Sequence, residues 1–515
     1  MKKSLRLLAL IAALATSVAA FSSCGGGSDA SSDTSTESST GSESSTAVDP
    51  ANAPTLRWIQ IGGQPNDIEE VTDALNEYSA EKIGVKVEFT FLDWGVWGNR
   101  VKAMLQGGEP FDIMFNNSDI YVSAINLGSF ADITDMLSEV PDLVEFIPDD
   151  VWSGVTIDDR IYAVPTYKDS AQTQYWVWDK EVVDMLGIEY ENIHTYADLD
   201  EPLHLVQEAI NDGRITKCNY AFPTVKGGVN GFMMNYDAGV AGLGVRYDDE
   251  TATVVRVHEQ EDLMEQYTYM HKWYEEGIIN PDASTAAEGE LGSYCVVGSA
   301  QGFPGAETGW AQGRGCDEVV IEAWGGPVYS TGTIQGSINS ISSNSEYKSE
   351  ALKYLQLVNT DANYRNMLAY GIEGEHYIDN GDGTVERDQT VIPGAADYGP
   401  ASYAQGTYML LKPVSPNSPD MYQKLEEMNE TAERSVLLGF TFNRTGPTDS
   451  DPDAVNVEAQ VAACSAIIDR YSPELYTGVG DPAVLVPQMY SELEAAGLED
   501  IRAELQRQID NYLGK

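Results

Sequence analysis

The chain has 515 residues, of which 81 are acidic and 30 basic, for a formal charge of −51. A surface this acidic repels phosphate backbones and anionic headgroups, which excludes nucleic-acid binding and adhesion to a lipid surface as primary roles. Its length and its 42% hydrophobic content suffice for two sizeable domains.

Residues 1–23 read as a signal peptide: Lys2, Lys3 and Arg6 form a cationic start, and Leu7 to Ala20 is an apolar run too short to span a bilayer. The segment Phe21-Ser22-Ser23-Cys24 resembles a lipobox, with Phe21 where leucine is usual, so Cys24 is expected to carry diacylglycerol and anchor the chain at the extracytoplasmic face of the cell membrane. Residues 24–54 hold almost no side chain worth burying and cannot repay the entropy of ordering. They form a flexible tether with an end-to-end distance of about 30 Å.

The folded part opens with the strand-like run Thr55 to Ile61, closed by Gly62-Gly63. Helical spacing of Ile68, Val71, Leu75 and Tyr78 predicts a helix over Asp67 to Glu81, and Val85 to Leu92 alternates as a second strand. A helix follows over Trp97 to Leu105, then a third short strand over Phe111 to Phe115 that ends in Asn116-Asn117-Ser118. Strand, helix, strand, helix, strand implies parallel pairing with right-handed crossovers, and ligands collect beyond the carboxyl ends of such strands. At the other end, Leu498, Ile501, Leu505, Ile509 and Leu513 share one face of a helix that reads as packing.

Several of these segments resemble family-1 extracellular solute-binding proteins, the group that includes the maltose-binding protein. Gly107 to Ile113 is similar to that family's G-x-x-P-D-I segment, Asp159 to Pro165 to its entry into the first hinge, and Tyr175 to Lys180 to the start of its second lobe. Gly336 to Ser342, with the helix Ser349 to Asn359, resembles the return into the first lobe. Tyr370 to Tyr377, Gly439 to Asn443 and the terminal helix Gly497 to Leu513 resemble a lipoprotein branch with an additional C-terminal region.

The resemblance implies an α/β, periplasmic-binding-protein-like fold of two lobes joined by a hinge with a ligand cleft between them. The N-terminal lobe is expected from 55–165 and 328–360, and the C-terminal lobe from 166–327 and 361–515. The implied function is capture of a small polar ligand, a mono- or oligosaccharide, for delivery to the permease subunits of an ABC importer by a monomeric receptor. A peptide-binding receptor of the same fold is the alternative, and a surface glycoside hydrolase a remoter one. No catalytic constellation, nucleotide loop or cofactor motif is visible, so the chain is read as no enzyme and as needing no cofactor.

A sugar needs hydroxyl partners beside exposed aromatic rings, and these belong at strand ends and hinges. The candidates after the first strand are Gln64, Asn66 and Asp67, the last with a plain helix cap as its alternative. Asp93 and Trp94 follow the second strand, and Asn116, Asn117, Ser118 and Tyr121 the third. Thr166, Lys168 and Asp169 fall at the first hinge, while Trp310 and Trp324 lie in glycine-rich surroundings. Glu373 joins them through the resemblance.

No pair of Cys218, Cys295, Cys316 and Cys464 has a metal or redox spacing, and the five histidines are scattered, so no metal site is expected. A Cys295–Cys316 disulfide and free buried thiols are equal alternatives. Asp379 to Gly383 has glycines where a calcium loop needs oxygen ligands, and reads as a hairpin turn.

Overall fold

The computed structural model describes residues 52–229, 235–287, 294–323, 326–448 and 450–515. The signal peptide, Cys24, nearly all of the tether and Trp324 lie outside the described residues.

Strand β1 (Thr55–Ile61) is followed by helix α1 (Ile68–Ile83), β2 (Lys86–Leu92), α2 (Trp94–Gly107), β3 (Ile113–Asn116), α3 (Ser118–Asn126) and the short β4 (Val164–Pro165). The chain then crosses into β5 (Ala171–Asp179), α4 (Tyr196–Asn211), α5 (Glu261–Glu275), β6 (Val297–Gly302), α6 (Glu307–Arg314), β7 (Glu318–Glu322) and β8 (Val328–Tyr329). It returns through β9 (Ile338–Ile341), α7 (Lys348–Thr360) and α8 (Ala362–Tyr370). A last crossing reaches β10 (Glu433–Arg434), α9 (Glu458–Tyr476), α10 (Pro482–Ala495) and α11 (Leu498–Leu513).

Two sheets result. The first has the order β2-β1-β3-β9-β4, with β1 parallel to both β2 and β3 and with β9 antiparallel to its neighbours. The second has the order β6-β5-β8-β10, and β7 also pairs with the nine-residue β5. The burial of β1 explains its central place: Thr55 and Arg57 are exposed, but from Trp58 onward both faces are covered. Helix α1 buries Ile68, Val71 and Leu75 at helical spacing and ends on Gly84, whose left-handed φ of 69° closes the last turn.

The cores divide the chain differently from the sequence expectation at one point. Trp58, Ile113, Phe115, Tyr354 and Tyr364 belong to the first core, and so do Leu368, Tyr398, Ala404, Leu425 and Met428. The sequence expectation places residues 361–432 with the C-terminal lobe. The break at Thr360-Asp361 is a corner instead, because the Asp361 side chain caps α8 through the Tyr364 N–H at 3.0 Å. Tyr364 then packs on Tyr78 of α1, with ring centroids 5.7 Å apart, and shares a 2.7 Å hydrogen bond with Tyr354. The passage to the second core falls where β10 joins β8 in parallel.

The second core gathers Trp176, Trp178, Tyr196, Tyr267 and Trp273 with Leu498, Ile501, Leu505 and Ile509 of α11, so that helix packs as its periodicity predicts. All four described cysteines are free, and the Cys295–Cys316 bridge is not formed. Residues Ile378–Asp379 and Val385–Glu386 pair as a hairpin, and the Lys412 ammonium occupies the Asp379 carboxylate. No helix of the described residues is long and apolar enough to cross a membrane.

Candidate ligand-binding site

The parallel strands β1 and β2 end side by side, with Ile61 opposite Leu92. At Gly62 the chain turns with φ 109°, and a Cβ there would stand 3.3 Å from that of Ala401, so glycine lets residues 394–405 lie across the strand ends. Asn66 donates to Asp397 Oδ1 at 2.9 Å, and the Asp67 N–H donates to the Asp397 carbonyl at 3.2 Å. Asp67 occupies the cap position of α1, yet its side chain caps nothing; its Oδ2 lies 3.3 Å from Nε2 of buried His376. Because His376 Nδ1 accepts the Ile372 N–H at 3.0 Å, the ring proton sits on Nε2 and points at Asp67. Gln64 is exposed on the same turn.

Asp93 caps α2 by accepting the Gly95 N–H at 2.8 Å, and this fixes Trp94 at the helix start. Trp94 is 52% exposed, its Nε1 donates to the Tyr403 hydroxyl at 2.8 Å, and its ring meets Phe115 edge-on at 6.3 Å. The ring is held in place while much of its apolar surface faces solvent. This is the arrangement expected of a stacking platform rather than of core filler.

Asn116 is buried, and its amide donates to Ser340 Oγ at 3.0 Å. The side-chain oxygens of Asn116 and Asn117 are both enclosed without a partner. Ser118 is exposed. Thr166 is buried at the first crossing, where its hydroxyl lies 3.1 Å from Ser337 Oγ, and Ser337 Oγ donates to the Tyr403 carbonyl at 2.8 Å. Lys168 and Asp169 pair with each other at the same crossing. Asn429 joins them by donating to the Lys168 carbonyl and accepting the Ala171 N–H.

Other candidates fall elsewhere. Tyr121 is core: it is fully buried, its hydroxyl donates to the Val155 carbonyl at 2.6 Å, and burial pushes the phenol well above its ordinary value. Trp310 lies partly buried against Tyr175 at 5.9 Å and covers Gly302, where even a Cβ would come within 2.5 Å of the indole. Glu373 is exposed on the turn after α8, bridged to Tyr377, with no bond to the strand-end cluster.

The structure thus gathers Asn66, Asp67, Asp93 and Trp94 with Asp397, Tyr403 and His376. Asp397 and Tyr403 had no signal in the sequence, because residues 394–405 carry neither helical nor strand periodicity. Two guanidiniums, that of buried Arg365 and that of partly buried Arg387, hold this segment. Arg365 donates to the carbonyls of Ser402, Gly406 and Thr407 at 2.8, 3.2 and 2.7 Å, and Arg387 to those of Ala395 and Tyr398.

Two α/β cores linked by three chain passages, with a fixed aromatic ring and carboxylates at the strand ends, define a two-lobed solute-binding protein. Residues 64–365 match the bacterial extracellular solute-binding protein family, and the chain belongs to it. Residues 436–514 match a domain of unknown function, DUF3502. A carbohydrate ABC transporter substrate-binding protein of Streptococcus pneumoniae is 26% identical over 478 residues, covering 91% of this chain and 92% of the relative. An uncharacterized lipoprotein of Streptomyces antibioticus is 28% identical over 117 residues, 22% of this chain and 26% of that protein. Among solved structures, the N-glycan transport solute-binding protein of Streptococcus pneumoniae superposes with a TM-score of 0.78 at 23% identity, covering 90% of this chain and 99% of that one. An HMO-binding, ABC-transporter-associated solute-binding protein of Bifidobacterium longum infantis superposes with a TM-score of 0.59 at 18% identity, covering 90% of this chain and 99% of that one.

Proposed function

We propose that this solute-binding protein captures an oligosaccharide outside the cell and hands it to the permease of an ABC importer. The observation that carries the reading is Trp94, a half-exposed indole locked by Tyr403 beside Asp67 and Asp397 at the ends of parallel strands. A sugar presents such a site with an apolar ring face and a fringe of hydroxyl donors. The collinear relative that carries carbohydrate in its name supports the same ligand class. We assign residues 55–171 and 329–432 to one lobe and 172–328 and 433–515 to the other, following the two cores.

Calorimetry of the chain from Thr55 onward tests the reading against the N-glycan fragments Man1GlcNAc and Man5GlcNAc, further mono- and oligosaccharides, and short peptides. Saturable binding of a glycan is expected, weakened at least tenfold by Trp94→Ala with little change in the thermal midpoint of the unliganded protein. A large loss of stability with affinity intact would place Trp94 in the core and the site elsewhere. The reading includes a lipid anchor on Cys24, supported by the small residues before it and the apolar run upstream. Cys24→Ala should release the protein or leave uncleaved precursor, and normal membrane retention of that variant would remove the anchor from the proposal.

A further inference from the structure

Near the end of β1 lies a buried side chain that the site described so far does not use. Gln60, next to last in β1, is 0% exposed, and among the described residues neither its amide nitrogen nor its oxygen has a hydrogen-bond partner. Native interiors rarely leave such a group unpaired without a reason. Its position follows from the sheet. Pleating puts Gln60 on the same face as Trp58, and the β1–β2 register sets it beside Phe91. The β1–β3 register, which pairs Trp58 with Ile113 and Ile59 with Met114, brings Phe115 to its other side. Phe115 meets the edge of Trp94. On the same face Trp58 donates to Asn339, whose amide donates to the Ala404 carbonyl, next to Tyr403. The unpaired amide is therefore one ring, that of Phe115, removed from Trp94.

The strand-end cluster carries two carboxylates, each tied by one oxygen. Asp67 Oδ2 accepts the His376 Nε2–H and Asp397 Oδ1 accepts the Asn66 amide N–H. Among the described residues their other oxygens have no hydrogen-bond partner, and neither carboxylate pairs with a lysine or arginine.

We propose that Gln60, Asp67, Asp397 and Trp94 form a subsite for an uncharged sugar residue with neighbouring hydroxyls, entered by breaking the Trp94–Tyr403 hydrogen bond, and that its two carboxylates exclude acidic sugars. The inference rests on the carbohydrate reading above. Sugar hydroxyls donate to the free carboxylate oxygens, the Gln60 amide both donates and accepts, and the apolar ring face lies on the indole. A uronic or sialic acid would bring a third carboxylate against two that have no cation to offset them.

The test is calorimetry of the mature chain with neutral Man1GlcNAc and Man5GlcNAc and with the disaccharide of glucuronic acid and N-acetylglucosamine. A neutral glycan should bind at least a hundredfold more tightly than the acidic one. Gln60→Leu should raise the thermal midpoint of the unliganded protein, since it removes an unpaired buried amide, while weakening the neutral glycan at least tenfold. Asp397→Asn should weaken it severalfold, and the double variant Asp67→Asn, Asp397→Asn should narrow the gap to the acidic disaccharide tenfold. If no neutral glycan binds at all, the carbohydrate reading falls and the subsite with it. Glycan binding that Gln60→Leu and Asp397→Asn leave unchanged, or an acidic disaccharide held as tightly as the neutral ones, overturns the subsite alone.

Discussion

His258 sits in the second core, with Nδ1 2.7 Å from the Tyr267 hydroxyl and with the rings of Tyr267, Tyr476 and Tyr490 within 6.5 Å. Burial pulls its pKa from an ordinary 6.5 down to about 4, so the ring is neutral in the folded protein at neutral pH. The unfolded chain takes up a proton below 6.5 and the folded one only near 4. The stability is therefore fully present above 6.5 and drains away as pH falls through that window, by about 3 kcal/mol in all. Thermal midpoints measured from pH 7 to pH 4 should fall more steeply for the natural protein than for His258→Phe. Equal slopes would mean that the imidazole reaches water. None of this was legible in the sequence, where His258 was one of five scattered histidines; burial is a property of the assembled core.

At the level of elements, the legible parts are those in which local pattern and tertiary role agree. Helix α11 could be drawn from Leu498, Ile501, Leu505 and Ile509 because its apolar stripe is also its packing face. The alternation of β1, α1, β2, α2 and β3 likewise places Asp67, Trp94 and Asn116 at strand ends from the sequence alone. The segment 394–405 was illegible for the opposite reason: its shape is imposed by Arg365, a residue of α8 that looks like any helical arginine in the sequence. The fully buried guanidinium meets carbonyls instead of a carboxylate. Arg365→Met would strand those carbonyls, at a cost of on the order of 3 kcal/mol. Limited proteolysis should then cut within 395–407, and glycan affinity should fall along with stability because Asp397 and Tyr403 ride on that segment. A variant resistant to protease with full affinity would show that the segment holds its shape without the clamp.

For the whole molecule, the three passages at 165–171, 329–338 and 432–436 set the kinds of motion available. They cluster around β5, β8 and β10, where Asn429 ties the first passage to a late helix and Arg434 pairs with Asp150 at 3.1 Å while lying 4.9 Å over the Tyr329 ring. Lobes joined at one edge can rotate about it, and a ligand drives closure only through contacts made better in the closed state. Small-angle scattering should show a smaller radius of gyration at glycan saturation, and an unchanged radius would leave the lobes acting as one rigid body. The two-lobed plan is legible in the sequence, whereas the corner at Asp361 has the local look of a lobe boundary although the residues after it pack in the first core.

The same interleaving has a consequence in time. A polypeptide emerges from its N-terminus first, at the ribosome and through any membrane pore, yet the first core waits for Leu425 and Met428 and the second for Leu505 and Ile509. The first core is complete only after Met428 and the second only after Ile509, so each half receives its last wall late in delivery, and a product stopped before α11 would lack part of the wall of the second core.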